Sequence, residues 1–124
     1  MATPIGYAWG MATVALLHGS DVYRELDAAG ARMLVLTSAG CGACRAMRAA
    51  LAKLPELPFP LRVLVVDAGS HRGLVEEHGA VHLPSLHLYR DGDYWGEVQA
   101  PPQPVALAAA IVALAAGPPG DLPG

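Results

Sequence analysis

Thr37-Ser38-Ala39-Gly40-Cys41-Gly42-Ala43-Cys44-Arg45-Ala46-Met47-Arg48 is the stretch on which the reading of the fold turns. It holds both cysteines of the 124-residue chain. In front of it, Met33-Leu34-Val35-Leu36 is an unbroken apolar run, which predicts a buried strand over Ala31 to Thr37. Behind it, Cys44 to Leu54 predicts a helix. The pair therefore sits where a strand hands over to a helix. Residues three apart on a first helical turn lie close enough for a disulfide to close. The partial positive charge of the helix N-terminus favours thiolate over thiol at Cys41. A bond between Cys41 and Cys44 would enclose too small a loop to stabilise the fold much. The pair is a redox or metal pair rather than a structural bridge.

The chain is one domain long, and its 53% hydrophobic residues are enough to bury a core without a disulfide staple. The net charge of -3 is scattered in both signs, which argues against a nucleic-acid surface or a polybasic membrane patch. No apolar run reaches the roughly 18 residues of a membrane span. Tyr7 to Leu17 is apolar, but no Lys or Arg precedes Arg24, so the basic region of an export signal is missing. Residues 1–17 are read as mature sequence and the protein as cytoplasmic. An atypical export signal is the alternative, and it would change the redox surroundings of the pair.

Residues 1–12 show no period and are expected to form a loose arm before a domain over 13–117. Thr13 to Leu17 is a candidate first strand. Ser20 or Asp21 can cap a helix over Val22 to Ala29, ended by Gly30. After the cysteine helix, Pro55, Pro58 and Pro60 force an irregular connection. Leu61 to Asp67 is a strand rich in β-branched residues. Ser70 or His71 opens a short helix that Gly79 stops. Ser85 to Tyr89 and Tyr94 to Gln99 are strands joined through Arg90-Asp91-Gly92-Asp93, with the Asp-Gly hairpin signal. Pro104 suits the first position of a last helix through Ala116. Residues 118–124 are expected to be a disordered tail. The order is β-α-β-α-β-α-β-β-α.

In this order the chain resembles the thioredoxin-like family over about residues 13–116. Cys41-Gly42-Ala43-Cys44 is similar to the family's C-G-P-C. Val81-His82-Leu83-Pro84-Ser85 is similar to its segment holding a cis-proline before a strand. Arg90-Asp91-Gly92-Asp93 is similar to its terminal hairpin. The resemblance implies an α/β fold with a central mixed sheet of four to five strands flanked by helices. It implies thiol–disulfide exchange, with Cys41 as nucleophile and Cys44 as resolving thiol. It also implies a cis Leu83–Pro84 bond and a substrate groove at Gly40, His82, Leu83 and Pro84. From the residues alone, a trans proline is the default. The chain departs from the family at four places. Gly40 replaces a tryptophan, Ala43 a proline, Val35 a buried aspartate and Val63 that aspartate's lysine partner.

Two cysteines and two of His18, His71, His78, His82 and His87 could complete a zinc site, but the spacing fits no usual pattern. These histidines are read instead as surface or strand-edge side chains. C-type haem attachment needs a histidine after Cys44, where Arg45 stands. His82 either faces the cysteines and stabilises the thiolate or points outward. Tyr89, Tyr94 and Trp95 are expected to pack on the hairpin face. The last helix has an apolar stripe of Leu107, Ile111 and Leu114, and a homodimer through it is an open alternative to plain packing. The expected activity is a thiol–disulfide oxidoreductase acting on protein or small-molecule disulfides. It needs no cofactor, only an upstream reductant. The rival is a non-catalytic binding or assembly module on the same scaffold.

Overall fold

The structure is a computed structural model that describes residues 12–17, 19 and 21–123. The expected arm over residues 1–11, His18, the Ser20 cap and Gly124 lie outside the described residues. The elements run β1 (Ala12–Leu17), α1 (Asp21–Leu26), β2 (Ala31–Thr37), α2 (Gly42–Leu51), β3 (Leu61–Asp67), α3 (Arg72–Glu77), β4 (Ser85–Arg90), β5 (Asp93–Val98) and α4 (Pro104–Ala116). The sheet order is β1-β3-β2-β4-β5, with β1 and β2 parallel to β3, and with β4 antiparallel to both β2 and β5. This is the expected α/β architecture with a five-stranded mixed sheet.

Because side chains alternate along a strand, each central strand feeds two cores. Met33 and Val35 of β2 join Val63 and Val65 of β3 under α2 and α4, with Met47, Leu51, Leu107 and Ile111. Leu34, Leu36, Leu64 and Val66 face the other way, toward α1 and α3, with Val22, Leu26 and Leu74. This double burial explains why β2 and β3 read as unbroken apolar runs.

Element ends differ from the sequence reading for local reasons. Helix α2 begins at Gly42 and stops at Leu51, not Leu54. Beyond it, Lys53 and Leu54 bond to the carbonyls of Ala50 and Leu51, a tighter turn that unwinds the helix ahead of Pro55. Asp67 closes β3 by accepting the Ser70 N–H at 3.0 Å and the Ser70 hydroxyl at 2.8 Å, which holds a 3₁₀ turn over Ala68–Ser70. The hairpin turn has Asp91 at φ 51° and Gly92 at φ 87°, the left-handed pair that a two-residue turn with this twist requires. Arg90 donates to the Ala115 carbonyl at 2.9 Å and lies 4.9 Å from the Trp95 ring, so a cation meets the C-terminal end of α4. After α4, the tail stretch brings Gly120 beside the Trp95 carbonyl and Pro123 beside Gly79.

The histidines correct the sequence reading. His78 and His87 are only 3% and 1% exposed. His78 Nδ1 donates to the Leu74 carbonyl at 2.8 Å, so its Nε2 accepts the Tyr89 hydroxyl at 2.7 Å. His87 sits between the Ser85 hydroxyl at 2.6 Å and the Tyr94 hydroxyl at 3.1 Å. The two imidazole rings lie 4.7 Å apart. Every ring nitrogen has a partner, which is what allows such groups inside a core. The alternation of Ser85, His87 and Tyr89 with Leu86 and Leu88 was visible in the sequence, but it does not tell a polar buried face from a solvated one.

Burial holds both imidazoles neutral. Desolvation, with the neighbouring His78, pushes His87 down to about 4, and desolvation pulls His78 below its usual value despite Glu77 nearby. The unfolded chain binds protons at these sites more readily. Stability from them is full above about pH 6.5 and is lost as pH falls toward 4. Denaturant unfolding from pH 7 to 4 should cost the parent about 2 kcal/mol more than a His87→Gln variant loses over the same range. Parallel losses would show that His87 does not titrate on unfolding.

Candidate active site

The site stands at the carboxyl end of β2. The antiparallel register pairs Leu36 with Ser85, so the residues before β4 arrive beside the loop that leaves β2. Two segments far apart in sequence, 38–44 and 81–84, are thereby brought together. Gly40, at φ 76°, turns the chain within the first of them, a conformation that side chains disfavour. A Cβ added at Gly40 or Gly42 would meet nothing within 4 Å, so the surface above the cysteines is open.

Cys41 is the N-cap of α2, and its sulfur accepts the Cys44 N–H at 3.1 Å. Its own thiol points to the Leu83 carbonyl at 3.9 Å, a long contact suited to sulfur. Cys44 is one turn further in and buried, while Cys41 is partly open. The buried side of α2, Cys44, Met47, Ala50 and Leu51, follows the helical period, so packing of that face is what draws Cys44 inward.

The two thiols are pushed in opposite directions. Cys41 lies below its ordinary value, because the Cys44 thiol and then the Cys44 N–H donate to its sulfur, with smaller help from the Ala43 N–H and the Arg45 charge. Cys44 lies above its ordinary value, first through burial and then because its proton is held in the bond to Cys41. The pair thus has one proton to lose easily, and it comes from the outer sulfur.

Among the predicted site residues, Cys41, Cys44 and Leu83 are in contact, and the Leu83–Pro84 bond beside them is cis. Gly40 is in the same loop. His82 is exposed, and no hydrogen bond among the described residues joins it to either cysteine. No cluster of three metal-binding side chains is present among the described residues, and His78 and His87 are engaged in the core instead. Sequence reasoning passed over the Ala43 N–H and Arg45, which also act on the Cys41 sulfur. The N-cap position of Cys41 was the available signal for the first, and the basic residue after Cys44 for the second.

Several solved structures share this architecture. The thioredoxin of Trypanosoma brucei brucei superposes with a TM-score of 0.64 at 19% identity, covering 85% of this chain and 93% of its own. That of Malassezia sympodialis gives 0.68 at 18% identity over 84% and 95%. A mutant thioredoxin of Halobacterium salinarum NRC-1 gives 0.68 at 18% identity over 90% and 99%. This is a thioredoxin-fold protein. No protein-family model and no curated protein matches the sequence, so the likeness is one of fold. Within the thioredoxin fold, this chain carries a pair of cysteines three residues apart and close in space, consistent with a redox site.

The opposed thiols make a direct prediction. With limiting iodoacetamide, Cys41 should be alkylated well before Cys44, and the midpoint of its rate against pH should fall below that of a free thiol. Equal labelling of the two cysteines would remove the distinction between them.

Proposed function

We propose that the protein is a thiol–disulfide oxidoreductase acting through Cys41 and Cys44. The observation that carries this reading is the Cys41 sulfur, held as hydrogen-bond acceptor at the helix start with Cys44 one turn behind it. The Cys41 thiolate attacks a substrate disulfide, forming a mixed disulfide and releasing one substrate thiolate. Cys44 then gives up its proton and attacks the Cys41 sulfur. That releases the second substrate thiolate and leaves a Cys41–Cys44 disulfide. Two electrons have passed to the substrate, and an upstream dithiol must return them. No cofactor takes part. The proposed cycle runs in the cytoplasm.

Gly40, His82, Leu83 and Pro84 form the proposed substrate groove. The stretch before β4 bends over residues 82–84 and brings the Leu83 carbonyl alongside Cys41, with Val81 and His82 exposed beside it. An extended substrate segment would lie against it through backbone contacts.

Insulin reduction by dithiothreitol should accelerate in the presence of the parent protein. A Cys44→Ser variant should accumulate mixed disulfides with substrate, and Cys41→Ser should not. A pair that binds disulfide-bearing proteins without turnover would favour a binding module on this scaffold.

Val35 and Val63 are fully buried and carry no atom that accepts a proton. Neither can take the Cys44 proton, and His82 is exposed, so in this reading the proton leaves toward water, from a thiol already held above its usual value. Release of the mixed disulfide should quicken steadily between pH 7 and 9, as measured by rapid quench and mass spectrometry. Equal rates at the two ends would mean that another base serves Cys44.

A further inference from the structure

The edge strand β1 leaves Val14 49% and Leu16 61% exposed, although both face the α2 side of the sheet. Between β1 and α2 runs a trough of about 420 Å³ that includes Val14, Val65, Arg45 and Arg48. A second hollow of about 230 Å³ shares Val65 and Arg48 with it and continues past Leu16 to Ser38 and Ala39, at the cysteine loop. The two hollows adjoin at Val65 and Arg48 and reach Ser38 and Ala39, in the loop that leads to Cys41.

The path is positively charged. No Asp or Glu occurs between Asp27 and Glu56, a span that holds Arg32, Arg45, Arg48 and Lys53. Arg45 and Arg48 are exposed, and among the described residues neither takes part in an ion pair. The one acid in the path is Asp67, whose carboxylate is already bonded to Ser70. Two guanidiniums with no ion pair among the described residues, beside half-exposed aliphatic side chains, match an acidic segment that also carries apolar residues. Among the described residues β1 pairs with β3 alone, so its outer edge has no strand neighbour among them.

We infer that this trough is the specificity element of the redox site, and that the disulfides it selects lie in polypeptide segments with acidic and apolar flanks. The inference rests on the redox reading above and adds the class of substrate. Arg45 and Arg48 draw the segment in by charge, and Val14 and Leu16 hold its apolar residues. Attack by Cys41 then forms the Cys41–peptide disulfide and expels the substrate's other sulfur as thiolate.

The test uses three synthetic peptides, each with one cysteine activated as a mixed disulfide with 5-thio-2-nitrobenzoate. One has Glu and Leu flanks, one Gln and Leu, one Lys and Leu. Attack on the peptide sulfur releases the coloured thiolate, so rates are read directly. The parent should react about tenfold faster with the acidic than with the basic peptide at low salt, and the ratio should shrink at high salt. In an Arg45→Gln/Arg48→Gln variant the ratio should fall below about twofold. The ratio cancels any general change in Cys41 reactivity, which Arg45 also influences. A Leu16→Ser variant should slow all three peptides alike and preserve the charge ratio. An acidic-to-basic ratio unchanged in the double arginine variant would overturn the inference while leaving the redox reading in place. If the parent fails to react even with the Gln peptide, the redox reading itself falls and this inference falls with it.

Discussion

The antiparallel pairing of β4 with β2 is the constraint on which the site depends. It sets Ser85 opposite Leu36, so that Leu83 and Pro84 arrive at the loop leaving β2. The same loop turns at Gly40 and delivers Cys41 to the start of α2. Neither half of the site exists without that register. A slip of one residue would turn the alternating faces of β4 over, sending Leu86 and Leu88 out of one core and His87 and Tyr89 into it. The hydrophobic pattern and the short Asp-Gly turn to β5 both act against such a slip.

Around that constraint, the local chemistry of the pair follows from where each sulfur lies. One helical turn separates them, enough to leave Cys41 at the open end, bonded by an N–H, and to bury Cys44. Opposite shifts of two chemically identical groups come from this difference in surroundings. The same principle operates in the opposite core, where His78 and His87 are tolerated because hydroxyls and a carbonyl satisfy them.

Much of this was legible in the sequence. An unbroken apolar run marked β2, because a strand buried on both faces has no alternation, and β-branched residues marked β3. The Asp-Gly turn and Pro104 marked the hairpin and the last helix, since both residues act through their own backbone geometry. The cysteine pair was legible for the same local reason. What the sequence concealed was tertiary. The sequence of β4 does not say that the face holding His87 meets α1 and α3 rather than water. The end of α2 depended on turn bonds ahead of Pro55 that no periodicity reveals. In the sequence Arg45 served only to exclude haem attachment, and its charge acts on the Cys41 sulfur because the helix start sets the two near each other.

The central claim is that Cys41 and Cys44 exchange two electrons as a unit. It is tested most directly by equilibrating the protein in glutathione buffers of graded oxidation, quenching with acid and weighing the alkylated products. The account predicts one reversible transition in which both thiols disappear together and an internal disulfide, two hydrogens lighter, takes their place. Two thiols that stay reduced across the whole series, or that are capped by glutathione one at a time with no internal bond, would contradict it.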